Sequence, residues 1–542
     1  MMVGDSFMKS TSYVLKSSAM RRADKMAIEE CKIPGILLME SAGRAVAQKA
    51  CEQLDTGDRV LILTGPGNNG GDGFVAARFL HFQGFDITVA AVQRVDEYSA
   101  DAAVNAKICE SLNINIECIC NAVGKIAESQ LRNLMEQSNL IIDALLGTGV
   151  QGTLRKPYPE LVSLINEDCA PTISVDIPTG VSADTGLVKD VAVDAQQTVT
   201  FAAPKPGLLL EPGCKWAGRV TVADIGIPDY VIHKAATTQN SNCSDKFGPL
   251  IWIQKDWIKQ RLPSRPKTGH KGTFGHVLVI AGSPGLSGAA VLAAKGAQRA
   301  GAGMVTCASP SSLHQVLQTK LTSAMTAGFP LQDVKDVCAA ADQLKPRIQR
   351  ADAVALGPGL GRSGAAQQLT ERLLSMWDKY DFPPLVVDAD GLNAVAQNLD
   401  MVKQVGGRGI LTPHPGEMAR LLSCSVSDVI SDRKGAALRA ARDSGCVVVL
   451  KGAPSITASP CGCLAINSSG NVGLAAGGSG DVLTGIISTL LAQRVSPQTA
   501  APAGCYLHGL AADMAREDIS VRSLIPEDIL PAISDAYRNI VD

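Results

Sequence analysis

The sequence predicts an α/β protein of two large domains, each built around a parallel β-sheet. Apolar residues make up 46% of the chain and aromatic residues only 4%, with 52 glycines, which suits Ala-, Val- and Leu-rich α/β layers better than a β-sandwich. Strand-like apolar runs that end at glycine or aspartate alternate with longer helical patterns, as in βα units. The 542 residues exceed what one core usually holds, and each half is long enough to bury its own.

The positions of the strands follow from these apolar runs. Six strands are predicted in the first half, at residues 59–64, 87–92, 140–144, 172–177, 198–201 and 220–224. Five more are predicted in the second half, at residues 277–281, 353–356, 385–388, 409–411 and 447–450. The two halves share no obvious repeated motif, so we expect two different domains rather than a duplication.

A polar, aperiodic segment separates the two series of strands. Residues 237–247 read TTQNSNCSDKF, a composition typical of a linker. We therefore predict a first domain at 1–235, a linker at 236–249 and a second domain at 250–542.

The charge balance excludes several classes of partner. Lys and Arg number 50 against 52 Asp and Glu, a formal net charge of -2. No global field would attract nucleic acid or an anionic membrane, so anionic ligands must be held by local groups. Residues 1–18 lack the apolar core of a secretory signal, and no run approaches the roughly 18 apolar residues of a membrane span. The expected partners are small molecules, and the expected location is the cytoplasm.

The cysteines predict reduced thiols rather than disulfides or zinc. There are 15 of them, an odd number scattered along a long chain. The pairs Cys118/Cys120 and Cys461/Cys463 have CxC spacing without the second pair that a structural zinc site usually needs.

A glycine-rich turn in the first half predicts a Rossmann-like domain. The segment RVLILTGPGNNGGDGFVAARFL reads as strand, turn and helix, and Gly65, Gly67 and Gly70 satisfy GxGxxG. A nicotinamide dehydrogenase should also carry an acidic residue at the end of the second strand. Here Asp86 precedes that strand and Arg94 follows it, which disfavours an ordinary dehydrogenase.

Polar side chains crowd the same turn and two further strand ends. Asn68, Asn69 and Asp72 lie among the glycines, where a phosphate cradle would need only backbone amides. Asp143 in DALLGTG and Asp176 in SVDIPTG follow strands whose carboxyl ends should share one edge of the sheet. Such oxygen-rich clusters bind hard cations or hydroxyls. The alternative is that each aspartate merely caps a turn.

The second half carries an ordered set of small-residue motifs. They are GPGLG from Gly357, DADGLN from Asp388, TPHPGEMARLL from Thr412, LKGAPSIT from Leu450 and NVGLAAGGSGDVLTGII from Asn471. Upstream, Lys267, His270 and Lys271 form a basic stretch that suits either an anionic ligand or a solvated surface.

The GGSGD motif has the clearest chemistry. Gly477, Gly478, Ser479 and Gly480 precede an apolar helical run, so their amides and the helix N-terminus predict a hole for a phosphate. Asp481 then lies where a base could take the proton of a hydroxyl that attacks a phosphate. The alternative is an ordinary helix N-cap, a position that aspartate favours.

The first-half motifs GPGNNGGDGFVAARFL, DALLGTGVQGTLR, SVDIPTGVSADTG and FAAPKPG resemble the epimerase domain of the NAD(P)H-hydrate repair family, over roughly residues 18–228. The resemblance implies a potassium ion bound by Asn69, Asp143 and Thr179. Many members have serine at the position of Thr179. The resemblance also implies that Lys205 is the acid/base partner of Asp176. It also implies that the hydrate contacts Asn68, Asn69, Gly70, Gly71, Asp72, Gly147, Thr148, Gly149, Val150, Gln151, Gly152, Thr153 and Asp176.

The second-half motifs resemble the ribokinase-like fold and, within it, the NAD(P)H-hydrate dehydratase family, over roughly residues 250–540. Ser455 and Ser479 stand where threonine is frequent, and His414 between two prolines favours a contact with a polar ligand. By this resemblance the nucleotide is bound by Lys451, Gly452, Ala453, Pro454, Ser455 and Gly480. The hydrate would face Gly301, Gly303, Gly359, His414 and the catalytic Asp481.

Together the two resemblances imply metabolite repair. Hydration at C6 of the nicotinamide ring gives R and S epimers of NADHX or NADPHX. The epimerase would interconvert them, and the dehydratase would restore NAD(P)H from the S form at the expense of ADP or ATP, giving AMP and phosphate in the ADP case. The implied cofactors are K+ for the epimerase and Mg2+ with the nucleotide for the dehydratase. A homo-oligomer is expected.

Two other functions stay open on the residues alone. One is a ribokinase-like kinase of a small alcohol, such as a vitamin, with an accessory N-terminal domain. The other makes the N-terminal half a binding module without turnover.

Overall fold

The computed structural model describes residues 12–120, 125–149, 152–238, 249–396 and 398–541. The chain divides into two compact units, Met1–Pro249 and Leu250–Asp542. Among the described residues, no helix is both long enough and apolar enough to cross a membrane.

The first unit contains a seven-stranded, all-parallel sheet in the order β3-β2-β1-β4-β5-β6-β7. Its strands are β1 Arg59–Thr64, β2 Asp86–Ala91, β3 Asn115–Cys118, β4 Leu140–Ala144, β5 Thr172–Val175, β6 Gln197–Phe201 and β7 Arg219–Ala223. Its helices are α1 Ser17–Glu29, α2 Gly35–Cys51, α3 Asn68–Phe82, α4 Ala100–Ser111, α5 Glu128–Glu136, α6 Tyr158–Glu167, α7 Pro206–Leu209 and α8 Asp229–Thr238.

Alternating apolar residues of β1 place helices on both faces of this sheet. Val60 and Ile62 pack into a core shared with α1 to α4 and α8. Leu61 and Leu63 point to the other face and pack with α5 and α6. This three-layer arrangement confirms the predicted Rossmann-like architecture, because a strand buried on both faces needs helices on both sides.

The second unit contains a ten-stranded sheet in the order β11-β10-β9-β12-β13-β14-β15-β16-β17-β8. Strand β16 is antiparallel to both neighbours, and all other pairs are parallel. The strands are β8 Leu250–Ile253, β9 His276–Ile280, β10 Met304–Pro310, β11 Met325–Phe329, β12 Ala353–Leu356, β13 Leu385–Val387, β14 Gly409–Leu411, β15 Val447–Leu450, β16 Ile456–Ala458 and β17 Leu464–Asn467.

Thirteen α-helices accompany these strands in the described part of the second unit. They are α9 Lys255–Lys259, α10 Ser287–Arg299, α11 His314–Lys320, α12 Val337–Arg350, α13 Gly364–Leu374, α14 Asp390–Val395, α15 Asp400–Lys403, α16 Pro415–Leu421, α17 Val426–Ser431, α18 Arg433–Ser444, α19 Ser479–Ala492, α20 Pro497–Ala515 and α21 Pro526–Val541. The chain is thus an α/β protein, as the sequence predicts.

The predicted linker begins too early. Helix α8 continues to Thr238, and Ala236 is fully buried. Thr237 and Thr238 are the last residues of this helix, and their hydroxyls bond back to the carbonyls of His233 and Lys234, at 3.0 and 2.7 Å. Residues 239–248, the rest of the predicted linker except Pro249, lie outside the described residues.

Candidate active sites

The glycine turn of the first unit is built for close packing. A Cβ on Gly65 would lie 1.7 Å from the carbonyl oxygen of Leu145, and one on Gly70 would lie 1.9 Å from that of Gly65. Helix α3 begins at Asn68 directly after this turn, with Gly67 as its N-cap. The polar residues of the NNGGD motif are therefore held in the first turns of a helix at the carboxyl end of β1.

A cavity of about 840 Å³ opens at this edge of the sheet, within the usual size range of a small-molecule site. Gly70 and Gly71 are packed inward instead, against Gly65 and Met39. Of the other hydrate contacts implied by the family resemblance, Gly152 lies outside the cavity lining, while Val150 and Gln151 lie outside the described residues. The remaining predicted contacts all line it, namely Asn68, Asn69, Asp72, Gly147, Thr148, Gly149, Thr153 and Asp176.

Lys205 and Asp176 form a buried ion pair in the cavity wall. The Lys205 side chain is only 1% exposed, and its Nζ donates to Oδ1 of Asp176 at 2.5 Å. It also donates to Thr200 Oγ1 at 2.9 Å and to the carbonyl of Phe201 at 3.3 Å. Asp176 follows β5 directly and has φ 62°, a left-handed conformation that non-glycine residues rarely adopt. Lys205 is therefore a buried group of the cavity wall rather than a solvated surface charge.

Two further carboxyl groups reach the same cavity. Burial raises the pKa of Asp24, on α1, to about 6, although nearby Lys205 lowers it. Burial, and then the charge of Asp176, raise the pKa of Asp72 well above its usual range. Sequence reasoning missed Asp24, because it lies within an ordinary amphipathic helix with no glycine motif around it.

Asp143 and Thr179 form a buried oxygen cluster, and Asn69 lies near the loop after Asp143, since a Cβ on Gly147 would be 3.2 Å from Asn69 Oδ1. Thr179 donates from Oγ1 to Oδ1 of Asp143 at 2.7 Å and from its amide to Oδ2 at 2.9 Å. The amide of Leu145 also donates to Asp143 at 3.3 Å, so the predicted turn-capping contact exists as well. The buried Nδ2 of Asn69 has no hydrogen-bond partner. Amide, carboxylate and hydroxyl oxygens such as those of Asn69, Asp143 and Thr179 are of the type that a hard cation binds.

In the second unit, three predicted site residues and Asp388 follow four adjacent strands. Gly359 follows β12, Asp388 follows β13, His414 follows β14 and Lys451 follows β15. Nζ of Lys451 donates to Oδ1 of Asp388 at 2.8 Å and lies 3.9 Å from Oε2 of Glu417. Ligands bind at the carboxyl ends of strands in open α/β sheets, which is where these groups meet.

Helix α19 brings Asp481 to this edge. The helix begins at Ser479, and its N-cap is Gly478 with φ 96°, so Asp481 lies in the first turn and the N-cap alternative is wrong. Oδ2 of Asp388 accepts from Thr484 of the same helix at 2.8 Å, which ties the helix to the sheet. Burial, and then Asp388, raise the pKa of Asp481 to about 7, with Lys451 opposing them.

The 451–455 loop joins β15 to β16 and meets this helix. A Cβ on Gly480 would lie 3.2 Å from Nζ of Lys451, so the loop and the start of α19 are in close contact. Arg433 donates to the carbonyls of Ala453 and Pro454 at 3.2 and 2.6 Å and so holds the loop from outside. Sequence reasoning missed Arg433, which lies on α18, outside all the motifs.

His414 caps a helix, and about half of its side chain is exposed to the cleft or solvent. Its Nδ1 accepts from the amide of Gly416 at 3.0 Å and caps α16, while the side chain is 51% exposed. Burial, followed by the charges of Lys451 and Arg420, lowers the pKa of the imidazole, so the neutral ring is favoured. The capping bond fixes the ring and leaves part of it accessible to a ligand.

Gly301 and Gly303 do not belong to this site. They lie between the end of α10 and the start of β10, at the opposite edge of the sheet. The carbonyl of Gly301 accepts from Gln493 at the C-terminal end of α19, about 18 Å along that helix from Asp481. A Cβ on Gly303 would lie 1.8 Å from the carbonyl oxygen of Lys271, which places the basic stretch at this far edge too. These glycines permit close packing.

The segment after β9, rather than Gly301 or Gly303, lies beside Gly359 at the carboxyl ends of the strands. Ser283 donates from Oγ to the carbonyl of Gly359 at 2.9 Å. A Cβ on Gly359 would lie 2.7 Å from the carbonyl oxygen of Leu286 and 2.8 Å from Cβ of Ala289. The sequence could have predicted this loop at the site, since SPGLSGAA is a run of mostly small residues just after a predicted strand.

Among the described residues, no group of three or more His, Cys, Asp or Glu side chains is arranged to hold a metal ion. Of the acidic residues of the second site, Asp388 and Glu417 face Lys451 instead.

Both units match known families. Residues 277–535 match the family described as NAD(P)H-hydrate dehydratase, and residues 35–207 match the family described as YjeF-related protein N-terminus. The chain is 38% identical over 535 residues to the bifunctional NAD(P)H-hydrate repair enzyme Nnr of Moorella thermoacetica, covering 97% of each chain. It is 34% identical over 513 residues to the enzyme of the same name from Escherichia coli, covering 95% of this chain and 92% of the relative.

Part of the chain also matches solved structures. The ADP/ATP-dependent NAD(P)H-hydrate dehydratase of Bacillus subtilis, co-crystallised with ATP and Mg2+, is 29% identical with a TM-score of 0.45, covering 53% of this chain and 97% of that one.

Proposed function

The chain belongs to the family of bifunctional NAD(P)H-hydrate repair enzymes, and from this premise we propose how its two units divide the work. The first unit epimerises the R and S hydrates, and the second dehydrates the S hydrate with ADP or ATP. The observation that carries the proposal is the presence of two separate sites, one with the buried Lys205–Asp176 pair and one with Asp481 beside Lys451.

In the dehydratase, Asp481 is the base for phosphoryl transfer. Its carboxylate takes the proton of the C6 hydroxyl as that oxygen attacks the terminal phosphorus of the nucleotide, whose bond to the bridging oxygen breaks. The amides at the start of α19 face the transferred phosphoryl group, and Lys451 balances its charge. Loss of phosphate from C6, with a proton from the adjacent C5, restores the ring double bond.

The nucleotide is held by the 451–455 loop and Gly480. Their close contact brings the loop amides and the helix N-terminus together, as a row of phosphates requires. Mg2+ would neutralise phosphate charge during the transfer. Because the described residues form no cluster of metal ligands, we propose that it is bound mainly through the nucleotide phosphates.

In the epimerase, the reacting carbon carries both the ring nitrogen and the hydroxyl. Protonation of that hydroxyl lets the C6–O bond break as the nitrogen lone pair forms a C=N bond, and water then returns to the other face. We propose that the Asp176–Lys205 pair moves this proton and that Asp72, whose raised pKa favours the protonated form, hydrogen-bonds the hydrate. Asn69, Asp143 and Thr179 would hold K+, whose charge would order the oxygen groups around the hydrate.

Two variants test this division in the full-length chain with mixed NADHX epimers and ADP. The wild type should convert both epimers. Asp176→Asn should convert the S epimer at the normal rate and leave the R epimer to slow spontaneous exchange, whereas Asp481→Asn should convert neither but still interconvert them. The asparagine at 481 matches aspartate in size, so its loss of activity should be on the order of 10²-fold or more. If each variant retains both activities at wild-type rates, the assignment is wrong.

A further inference from the structure

A second cavity lies in the second unit, away from the 451–455 loop. Its volume is about 380 Å³, and its wall contains Arg362, Asn393, Arg420 and Ser423. Two guanidinium groups in one small cavity lined otherwise by uncharged residues favour an anionic ligand. The sequence motifs gave no role to either arginine.

The order of the strands places this cavity on one side of the active-site cleft. Arg362 follows the glycine turn after β12, Asn393 is on α14 after β13, and Arg420 is on α16 after β14. The 451–455 loop follows β15, the next strand along the sheet. Both arginines also lower the pKa of His414, so their charges lie near that ring. The cavity therefore adjoins the side of the cleft lined by Gly359 and His414, which we assign to the hydrate.

Neighbouring polar groups hold the two guanidinium groups in place. Nε of Arg420 donates to Oδ1 of Asn393 at 3.0 Å, and Nε of Arg362 lies 3.5 Å from Oδ1 of Asp390. Nδ2 of Asn393 donates to the same Asp390 oxygen at 3.3 Å, which links the two sides. A guanidinium has five N–H donors, so contacts through Nε still leave the terminal NH2 groups able to bind a phosphate.

The other charged groups of the cleft are mostly acidic, so an anionic dinucleotide needs nearby cations in order to bind there. The floor of the cleft carries the carboxyl groups of Asp388, Glu417 and Asp481, and its lysine, Lys451, is already paired with Asp388. A dinucleotide brings at least the two negative charges of its pyrophosphate into this acidic surrounding. Without nearby cations, repulsion would oppose its binding.

We propose that Arg362 and Arg420 form a phosphate-binding subsite for the dinucleotide hydrate, separate from the nucleotide that donates the phosphoryl group. The inference rests on the proposed function of the second unit. The phosphate that binds is either the pyrophosphate, which NADHX and NADPHX share, or the 2′-phosphate, which only NADPHX carries. In the second case the subsite sets the preference between the two hydrates.

The test compares Arg362→Gln and Arg420→Gln in the full-length chain, with Arg350→Gln as the matched control. Arg350 is an exposed arginine at the end of α12, at the opposite end of β12 from the cavity. The measurements are KM and kcat with the S forms of NADHX and NADPHX, KM for ADP, and the equilibrium affinity for NADH and NADPH. Binding of these stable products reports on the phosphates without turnover.

We expect each cavity variant to raise the hydrate KM and weaken product binding about tenfold or more, as for loss of a hydrogen bond to a charged group, with the ADP KM unchanged. An effect on NADPHX and NADPH alone identifies the 2′-phosphate, and an equal effect on both pairs identifies the pyrophosphate. Unchanged dinucleotide affinities, or a rise in the ADP KM instead, would overturn the subsite. Absence of wild-type turnover would contradict the proposed function, while product binding would still decide the subsite.

Discussion

Burial tunes the pKa of Asp481, the base that we propose for dehydration. Its neighbours Asp388, Asp390 and Glu417 are acidic, and together with burial they bring its pKa to about 7 in spite of Lys451. A general base is most effective when its pKa lies near the working pH. The sequence identified the residue from its small-residue neighbours, but it could not predict the pKa, which depends on groups from three other segments of the chain.

We predict that dehydration of S-NADHX loses activity as the pH falls below about 7, because the base must be ionised to accept the hydroxyl proton. Stability should follow the opposite trend. The folded-state pKa lies above the ordinary value of 3.8, so the stabilising contribution of this group is present at low pH and is lost as the pH rises through 7.

Both parts of this prediction can be checked with Asp481→Asn, which removes the titration. The melting temperature of the variant relative to the wild type should be higher at pH 8 than at pH 5. A wild-type rate that stays flat from pH 5.5 to 8 with saturating ADP, or a melting difference independent of pH, would contradict the role of this carboxyl group.

The cation site of the first unit gives a second prediction. Asp143→Ala should weaken epimerisation and remove its dependence on potassium, because it deletes a proposed oxygen ligand that is buried and bonded to Thr179. Ser174→Ala is the matched control, since it removes one 2.9 Å hydrogen bond to Asp143 and none of the proposed ligands. Rates are measured in potassium, sodium and salt-free buffer, with melting temperatures as the check on folding. Equal wild-type epimerisation in all three buffers would argue against bound K+.

At the scale of helices and strands, continuous apolar runs were enough to find the central strands. All eleven predicted strands are present, with ends shifted by no more than two residues. The missed strands include β3, whose burial is only partial at the sheet edge, and the short hairpin β16–β17. Edge and hairpin strands carry less apolar signal because at least one side meets solvent or a turn.

The missed strand β10 explains the error at Gly301 and Gly303. Without β10, nothing in the sequence shows that these glycines precede a strand and so lie at its amino end. Motif order along the chain therefore placed candidate residues that follow predicted strands, such as His414 and Lys451, at the carboxyl ends of the strands. It did not show at which end of the strands an isolated glycine lies.

We predict that Gly303→Ala lowers stability and leaves the hydrate KM unchanged in the molecules that fold. The added Cβ would lie 1.8 Å from the carbonyl oxygen of Lys271, so the backbone must shift. Gly288→Ala, in the first turn of α10, is the control for stability, because its Cβ would meet nothing within 4 Å. A selective rise in KM for Gly303→Ala at unchanged melting temperature would restore this glycine to the binding site.

At the scale of the whole molecule, the two units each have a sheet and a candidate site of their own. We therefore predict that fragments 1–243 and 244–542 are both folded and active, the first in epimer exchange and the second in nucleotide-dependent dehydration of the S hydrate. The fragments are compared with the full-length chain by circular dichroism and by the two assays. If neither fragment folds or turns over, the independence of the units is wrong.

The homo-oligomer expected from the sequence stays a prediction, which sedimentation of the full-length chain can check.

The most direct test of repair is the product balance of the full-length chain with mixed NADHX epimers and excess ADP. We predict that all the NADHX becomes NADH, with one AMP and one phosphate released for each NADH formed. This balance requires the sites built around Asp176 and Asp481 to work in sequence. Accumulation of a stable phosphorylated alcohol without NADH would contradict the account and would indicate a kinase.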